Sequence, residues 1–199
     1  ALMHDIGKLE LPPRVRHADE GWGALEISRY REHVARGVSL GRKMGLSPGA
    51  LLVLAQHHEH ADGSGFPQRL NLERLSGAAR IVALVNRYDN LCNPVHASRA
   101  LTPHEALSLM FSQGKQTFDV TLLNAFIRMA GVYPPGSLVQ LTDDRYAMVM
   151  TVNSSRPLKP VLLVHDVKAP REEALHLDLE VQPALGIRRS MKVAQLPAQ

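Results

Sequence analysis

Two short strings gather the side chains that bind metal ions and phosphates. In the first, His4-Asp5-Ile6-Gly7-Lys8, an imidazole and a carboxylate stand about 100° apart on a helix end and can reach one point beside it. Such a pair suits a borderline transition metal, and the carboxylate can bridge two ions. Gly7 is expected to end that helix, leaving Lys8 one turn away to offer an ammonium to a phosphoryl oxygen. The second string is His57-His58-Glu59-His60, followed by Asp62-Gly63-Ser64-Gly65-Phe66-Pro67. Neighbouring histidines do not chelate one ion from a regular helix, but they can serve two ions a few Å apart, as in two-metal phosphoester hydrolysis. The glycine-rich turn either brings backbone N–H groups near a phosphate or shapes an entrance. The competing reading is a wet helix C-terminus, where the helix dipole favours histidine. His33 lies between the two strings, at separations expected of successive helices in a bundle. Taken together, the three segments point to a metal site built inside a helical bundle.

The elements that must position these residues are mainly helical up to residue 131. Residues 26–43 place Ile27, Tyr30, Val34, Val38 and Leu40 at helical spacing, and Gly45 stops the run. Ser47-Pro48 caps a second helix that leads to His57-His58, and a third is expected over 76–91. Thr102-Pro103-His104-Glu105 opens a fourth as a capping box, and Asp119 caps a fifth closed by Gly131. After Tyr133-Pro134-Pro135-Gly136 the texture changes. Strands are expected over 138–141 and 146–152 about an Asp143-Asp144-Arg145 turn, then over 161–164 and, by strict alternation, 175–181. The expected domains are a helical domain over 1–131, a small antiparallel β-rich extension over 132–190, and a loose tail over 191–199.

Composition excludes several classes. The 199 residues are 45% hydrophobic and 21% charged, enough apolar material for a core. No apolar run approaches the roughly 20 residues that span a membrane, and the charged opening residues are not a secretory signal. One cysteine, Cys92, excludes an intrachain disulfide framework and fits a reducing cytosol. The net charge of +4 is scattered and aromatics are only 5%, which argues against DNA or RNA as partner. The unusual count is histidine: ten in all, six of them in the first 60 residues. The chain opens Ala-Leu-Met-His-Asp in a helix-compatible register, which reads as a fragment that begins inside an element.

The strings HDIGK and HHE followed by GSGFP, in that order, resemble the HD-GYP subgroup of the HD-domain phosphohydrolases over residues 1 to about 130. Phe66 stands where that family usually has tyrosine. The resemblance implies an HD-type helical bundle and a bacterial phosphodiesterase that hydrolyses cyclic di-GMP at two or three iron or manganese ions. It places His4, Asp5, His33, His57 and His58 at metal-ligand positions, with Asp5 as the bridging carboxylate. Lys8 matches the lysine that contacts phosphate, and Gly63, Ser64 and Gly65 fall where substrate is approached. The partners it implies are cyclic di-GMP and GGDEF-type diguanylate cyclase domains, with a homodimer as a further expectation.

Two segments depart from the pattern. The family's late aspartate ligand lies in a helix resembling Ala-Asp-x-Tyr-Asp-Ala-Leu, and here Asn86 takes its place in Val85-Asn86-Arg87-Tyr88-Asp89-Asn90-Leu91. An amide oxygen can coordinate but brings no charge. The family's Arg-Pro-Tyr-Arg/Lys stretch has become Val95-His96-Ala97-Ser98, leaving Arg99 or His96 as its substitute for substrate phosphates. The five matching ligands with Lys8 favour an active phosphodiesterase. Asn86 and the altered stretch favour a non-catalytic module that binds a cyclic dinucleotide or signalling proteins.

Overall fold

The computed structural model describes residues 1–17, 21–165 and 175–196. Five α-helices are present among them: α1 Ala24–Lys43, α2 Pro48–Gln56, α3 Gly77–Cys92, α4 Pro103–Gln113 and α5 Val120–Ala130. Their starts follow from local chemistry. The Ser47 and Ser76 hydroxyls accept from the Ala50 and Ala79 amides at 3.3 and 3.2 Å, each holding an amide that the first helical turn leaves unpaired. At α4 the capping box is reciprocal: the Glu105 carboxylate accepts from the Thr102 amide, and the Thr102 hydroxyl from the Glu105 amide. The Asp119 carboxylate accepts from the Thr121 and Leu122 amides at the start of α5.

The opening segment differs from expectation. His4 and Asp5 lie in a turn, and residues Ile6–Glu10 form a 3-10 helix rather than continuing an α-helix. Gly7 does not terminate an element. It lies within the 3-10 helix, buried against α1, where an added Cβ would stand 1.9 Å from the His33 carbonyl oxygen and 2.5 Å from the Gly37 nitrogen. Glycine is required there because one backbone crosses another almost in contact.

The described chain divides into two compact units, residues 1–98 with 113–123, and residues 99–112 with 124–199. The expected boundary at 131 follows the change from helix to strand. The compact units follow contacts instead: in the second, the Thr102 hydroxyl lies 2.9 Å from that of Ser190, and the His104 ring donates to the Val132 carbonyl and stacks on Tyr133. His104 is thus a half-buried, packed side chain.

The first unit is the helical part, with Leu11, Val15, Val34, Leu54, Ala79 and Leu84 among its buried residues. The second contains a five-stranded antiparallel sheet of order β4-β3-β2-β1-β5. Its strands are β1 Leu138–Leu141, β2 Tyr146–Thr151, β3 Val161–Val164, β4 His176–Asp178 and β5 Ile187–Met191. Val139, Leu141, Val149, Leu162, Val164 and Leu179 form its core. The expected strand over 175–181 ends early. The Asp178 carboxylate turns back to accept from the Glu180 amide, although Leu177 and Leu179 still face the core. Strand β5 was not expected, and it pairs with β1. Past it, Val193–Gln195 forms a 3-10 turn where a loose tail was expected, and 197–199 lie outside the described residues. Among the described residues no helix is long and apolar enough to cross a membrane.

Candidate metal centre

Three histidines are aimed by their own local backbone. His33, fully buried on α1, donates from Nδ1 to the Tyr30 carbonyl at 2.6 Å. His57, one residue beyond the end of α2 and 1% exposed, donates likewise to the Leu54 carbonyl at 2.9 Å. His4 donates from Nδ1 to the Ala1 carbonyl at 2.7 Å. A carbonyl only accepts, so in each neutral ring the proton sits on Nδ1 and Nε2 carries a bare lone pair.

Those lone pairs converge. The Nε2 atoms of His33 and His57 are 3.3 Å apart, and each is 3.5 Å from Asp5 Oδ1. With both protons committed to backbone carbonyls, the 3.3 Å contact sets one lone pair against another and is not a hydrogen bond. His58 completes the group: one donor atom from each of Asp5, His33, His57 and His58 lies within 4.8 Å of all the others. His4 Nε2 sits 3.4 Å from the second Asp5 oxygen, Oδ2. His4 Nε2, Asp5 Oδ1 and His58 Nε2 are buried without a hydrogen-bond partner.

Each such orphan costs about 1–3 kcal/mol if left unmet, and here they face a common space. Two donors about 2.1 Å from one ion, at tetrahedral to octahedral angles, stand about 3.0–3.4 Å apart. The His33, His57 and Asp5 spacings are close to that range, so the donor set fits a divalent cation.

Electrostatics prepares the same atoms. Burial pushes the His33 imidazolium down to about 4 and that of His58 down to about 2, so both rings are neutral near pH 7 and free to ligate. Burial alone would raise the Asp5 carboxyl, but its polar surroundings, with the Lys8 ammonium 2.6 Å from Oδ2, hold the group well below the usual carboxylate range. Lys8 Nζ lies 2.6 Å from Asp5 Oδ2 and 5.3 Å from the centre of the Tyr30 ring.

The centre opens onto a cleft of about 560 Å³, lined by Lys8, Tyr30, His57, His58, Phe66 and Asn86 among others. Asn86 lines this cleft from α3, its amide oxygen accepting from the Asn90 amide at 3.1 Å. Gly63, Ser64 and Gly65 do not line the cleft. Ser64 bonds the His60 ring and the Asp62 carboxylate. A Cβ on Gly65 would come within 2.5 Å of the His58 carbonyl and of Glu59 Cα, so this glycine lets the loop fold back on the end of α2. Arg99 belongs to the second unit, in the 3-10 turn Ala97–Arg99.

Two contributors escaped sequence reasoning. Glu59 is 1% exposed, and its two oxygens accept from the Gln68 and Leu70 amides at 2.6 and 2.9 Å. It anchors the loop while the two residues before it, His57 and His58, face the centre. Tyr30, one turn before His33, touches the rings of His33 and His58 as well as Lys8. Its signal was the three-residue spacing to His33. Phe66 stacks on His58 at 4.6 Å with an interplanar angle of 18°.

The HD-domain family profile matches residues 1–122. A cyclic di-GMP phosphodiesterase of Pseudomonas aeruginosa is 29% identical over 160 residues, covering 80% of this chain and 38% of that protein. A cyclic di-GMP phosphodiesterase response regulator of Xanthomonas campestris is 31% identical over 131 residues, 64% of this chain and 34% of that protein. This chain therefore spans well under half the length of these curated relatives. A solved HDG"Y"P protein from Bdellovibrio bacteriovorus shares the fold, with a TM-score of 0.50 at 18% identity over 64% of this chain and 41% of that one. The donor cluster, the helical fold and the profile agree: the chain belongs to the HD-domain family.

Proposed function

We propose that this chain is the metal-bearing domain of a phosphodiesterase that hydrolyses cyclic di-GMP in bacterial second-messenger signalling. The observation that carries the reading is the convergence of Asp5, His33, His57 and His58 on one space beside a cleft that Lys8 also lines. The activity named for the relatives supplies the substrate. A bound divalent metal, iron or manganese, would give Lewis acidity toward the phosphoryl group and activate water. Asp5 with His33, His57 and His58 would hold that charge, and His4 Nε2 lies 3.4 Å from the second Asp5 oxygen, Oδ2. Lys8 donates to Asp5 Oδ2 and, from the cleft wall, can turn its ammonium to a phosphoryl oxygen as negative charge develops there. The single half-buried Cys92 supports a reducing cytosol as the working compartment.

The test is metal content and cyclic di-GMP turnover of the intact protein, with Asp5→Ala beside it. Turnover that disappears with Asp5→Ala supports the reading. A metal-loaded protein that binds but does not cleave the dinucleotide overturns it. That outcome would favour the second reading, a non-catalytic module for cyclic dinucleotides, GGDEF domains or a second copy of the chain. The observation behind this alternative is Asn86, neutral and already bonded to Asn90.

A further inference from the structure

The cleft carries one cation that the metal centre does not use. Arg87, on α3 directly after Asn86, lines the same cleft as Lys8, His57 and His58. Among the described residues its guanidinium makes no hydrogen bond and no ion pair. Arg80, two turns earlier on the same helix, is engaged at every face: it pairs with the Asp119 carboxylate and donates to the Leu72 and Leu75 carbonyls. Arg80 is therefore a structural clamp and Arg87 is not.

The cleft also lacks the group that would neutralise such a charge. Among the described lining residues there is no aspartate or glutamate, while Lys8, His17, His60 and Arg87 contribute cationic or ionisable nitrogens. Asp89, two residues from Arg87, is occupied as acceptor of the Asn93 amide. The His60 ring, also in the lining, is bonded through Nδ1 to the Ser64 hydroxyl at 2.8 Å. Val95, also in the lining, brings no charge. Asn90 on α3 and Asn93, just past the end of that helix, also line the cleft. An unpaired guanidinium in a carboxylate-free cleft is arranged for an anion arriving from solvent, and its planar fork matches two oxygens of a phosphate.

We propose that Arg87 is a phosphate-binding residue of this cleft, holding a phosphodiester of the bound nucleotide from α3 in the same cleft that Lys8 lines. The choice of a cyclic dinucleotide as that nucleotide rests on the function proposed above. The anion site itself rests on Arg87 and its surroundings.

The experiment measures binding of cyclic di-GMP and, separately, of pyrophosphate to the intact metal-loaded protein by calorimetry, for wild type, Arg87→Gln and Arg87→Lys, with metal content determined on each sample. The expected result is a loss of about 10- to 100-fold in affinity for Arg87→Gln, partial recovery in Arg87→Lys, and unchanged metal content. In turnover assays the same change should raise KM far more than it lowers kcat. Equal affinity of Arg87→Gln and wild type for both ligands overturns the proposal, as does a loss of affinity accompanied by loss of metal. Wild-type binding of pyrophosphate but not of cyclic di-GMP, weakened by Arg87→Gln, upholds Arg87 as the anion site and removes the dinucleotide as its ligand. Binding of neither ligand to wild type overturns both.

Discussion

Replacing Gly7 by alanine tests whether the crossing of the first 3-10 helix over α1 sets the metal geometry. The new Cβ would stand 1.9 Å from the His33 carbonyl oxygen, 2.5 Å from the Gly37 nitrogen and 2.9 Å from the His33 carbonyl carbon. All three are backbone atoms inside a 20-residue helix, so α1 cannot yield locally. Ordinary carbon–oxygen contact requires the opening segment to retreat by roughly 1.4 Å. Asp5 and Lys8 flank Gly7 and would retreat with it, while His33 stays. Metal sites tolerate about 0.2 Å in ligand position, so the Asp5 oxygen would leave the group it forms with His33 and His57. We expect Gly7→Ala to lose about 2–4 kcal/mol of stability and at least about 100-fold in divalent-metal affinity. Gly37→Ala is the control across the same crossing. Its nearest neighbours would be a Leu54 methyl at 3.2 Å, the Gly7 nitrogen at 3.4 Å and Gly7 Cα at 3.7 Å. A side-chain tip can move, and alanine within a helix recovers about 0.5–1 kcal/mol, so this variant should stay within about 1 kcal/mol of wild type and bind metal normally. Urea denaturation and competitive chelator titration read both quantities. Gly7→Ala with wild-type stability and metal affinity would refute the reasoning, as would equal damage from the two substitutions.

Three further outcomes follow from other contacts. Glu59→Gln replaces one accepting oxygen with an NH2 group facing a backbone N–H, so it should cost about 2–3 kcal/mol and accelerate hydrogen exchange at the Gln68 and Leu70 amides; native exchange there would contradict the anchoring role. Asp119→Ala removes the α5 cap and the Arg80 partner, at a cost of about 1–2 kcal/mol at pH 7. The Asp119 carboxyl is held below its ordinary value because its bonds to the Leu122 amide and Arg80 outweigh burial, so its contribution is full above about pH 4 and lost as pH falls through the folded-state value; a wild-type-to-variant gap that does not shrink in acid would contradict this. Asn86→Asp adds a carboxylate to the cleft wall and should raise manganese or iron affinity by about 10-fold or more; unchanged affinity would mean that position 86 does not serve the ion.

Much of this was legible because it depends on short-range chemistry. Ser47, Ser76, Thr102 with Glu105, and Asp119 announce their helices through hydrogen bonds that span three residues. The ligand strings were legible for a related reason: few uses other than metal binding explain His33, His57 and His58 on neighbouring helical segments beside His4-Asp5. What escaped depends on distant partners. Ile187-Arg188-Arg189-Ser190-Met191 lacks apolar alternation, and it is a strand because β1 offers it a free edge some 50 residues earlier in the chain. Gly7 reads equally as a helix stop or as a crossing, and only the position of the His33 carbonyl decides. The role of Glu59 depends on amides nine and eleven residues ahead, within a loop that carries no regular period.

The Nδ1 bonds of His4, His33 and His57 all run to a carbonyl three residues back, at Ala1, Tyr30 and Leu54. Orienting partners of metal-binding histidines are often carboxylates, which a survey of side-chain replacements would detect. Here the partner atoms belong to the main chain, and almost any residue at positions 1, 30 or 54 supplies the same oxygen. A side-chain scan of this centre would record the ligands and miss what aims them. Replacing the backbone amide after residue 30 or 54 with an ester, which weakens that carbonyl as an acceptor while every side chain stays in place, addresses this layer of the site directly.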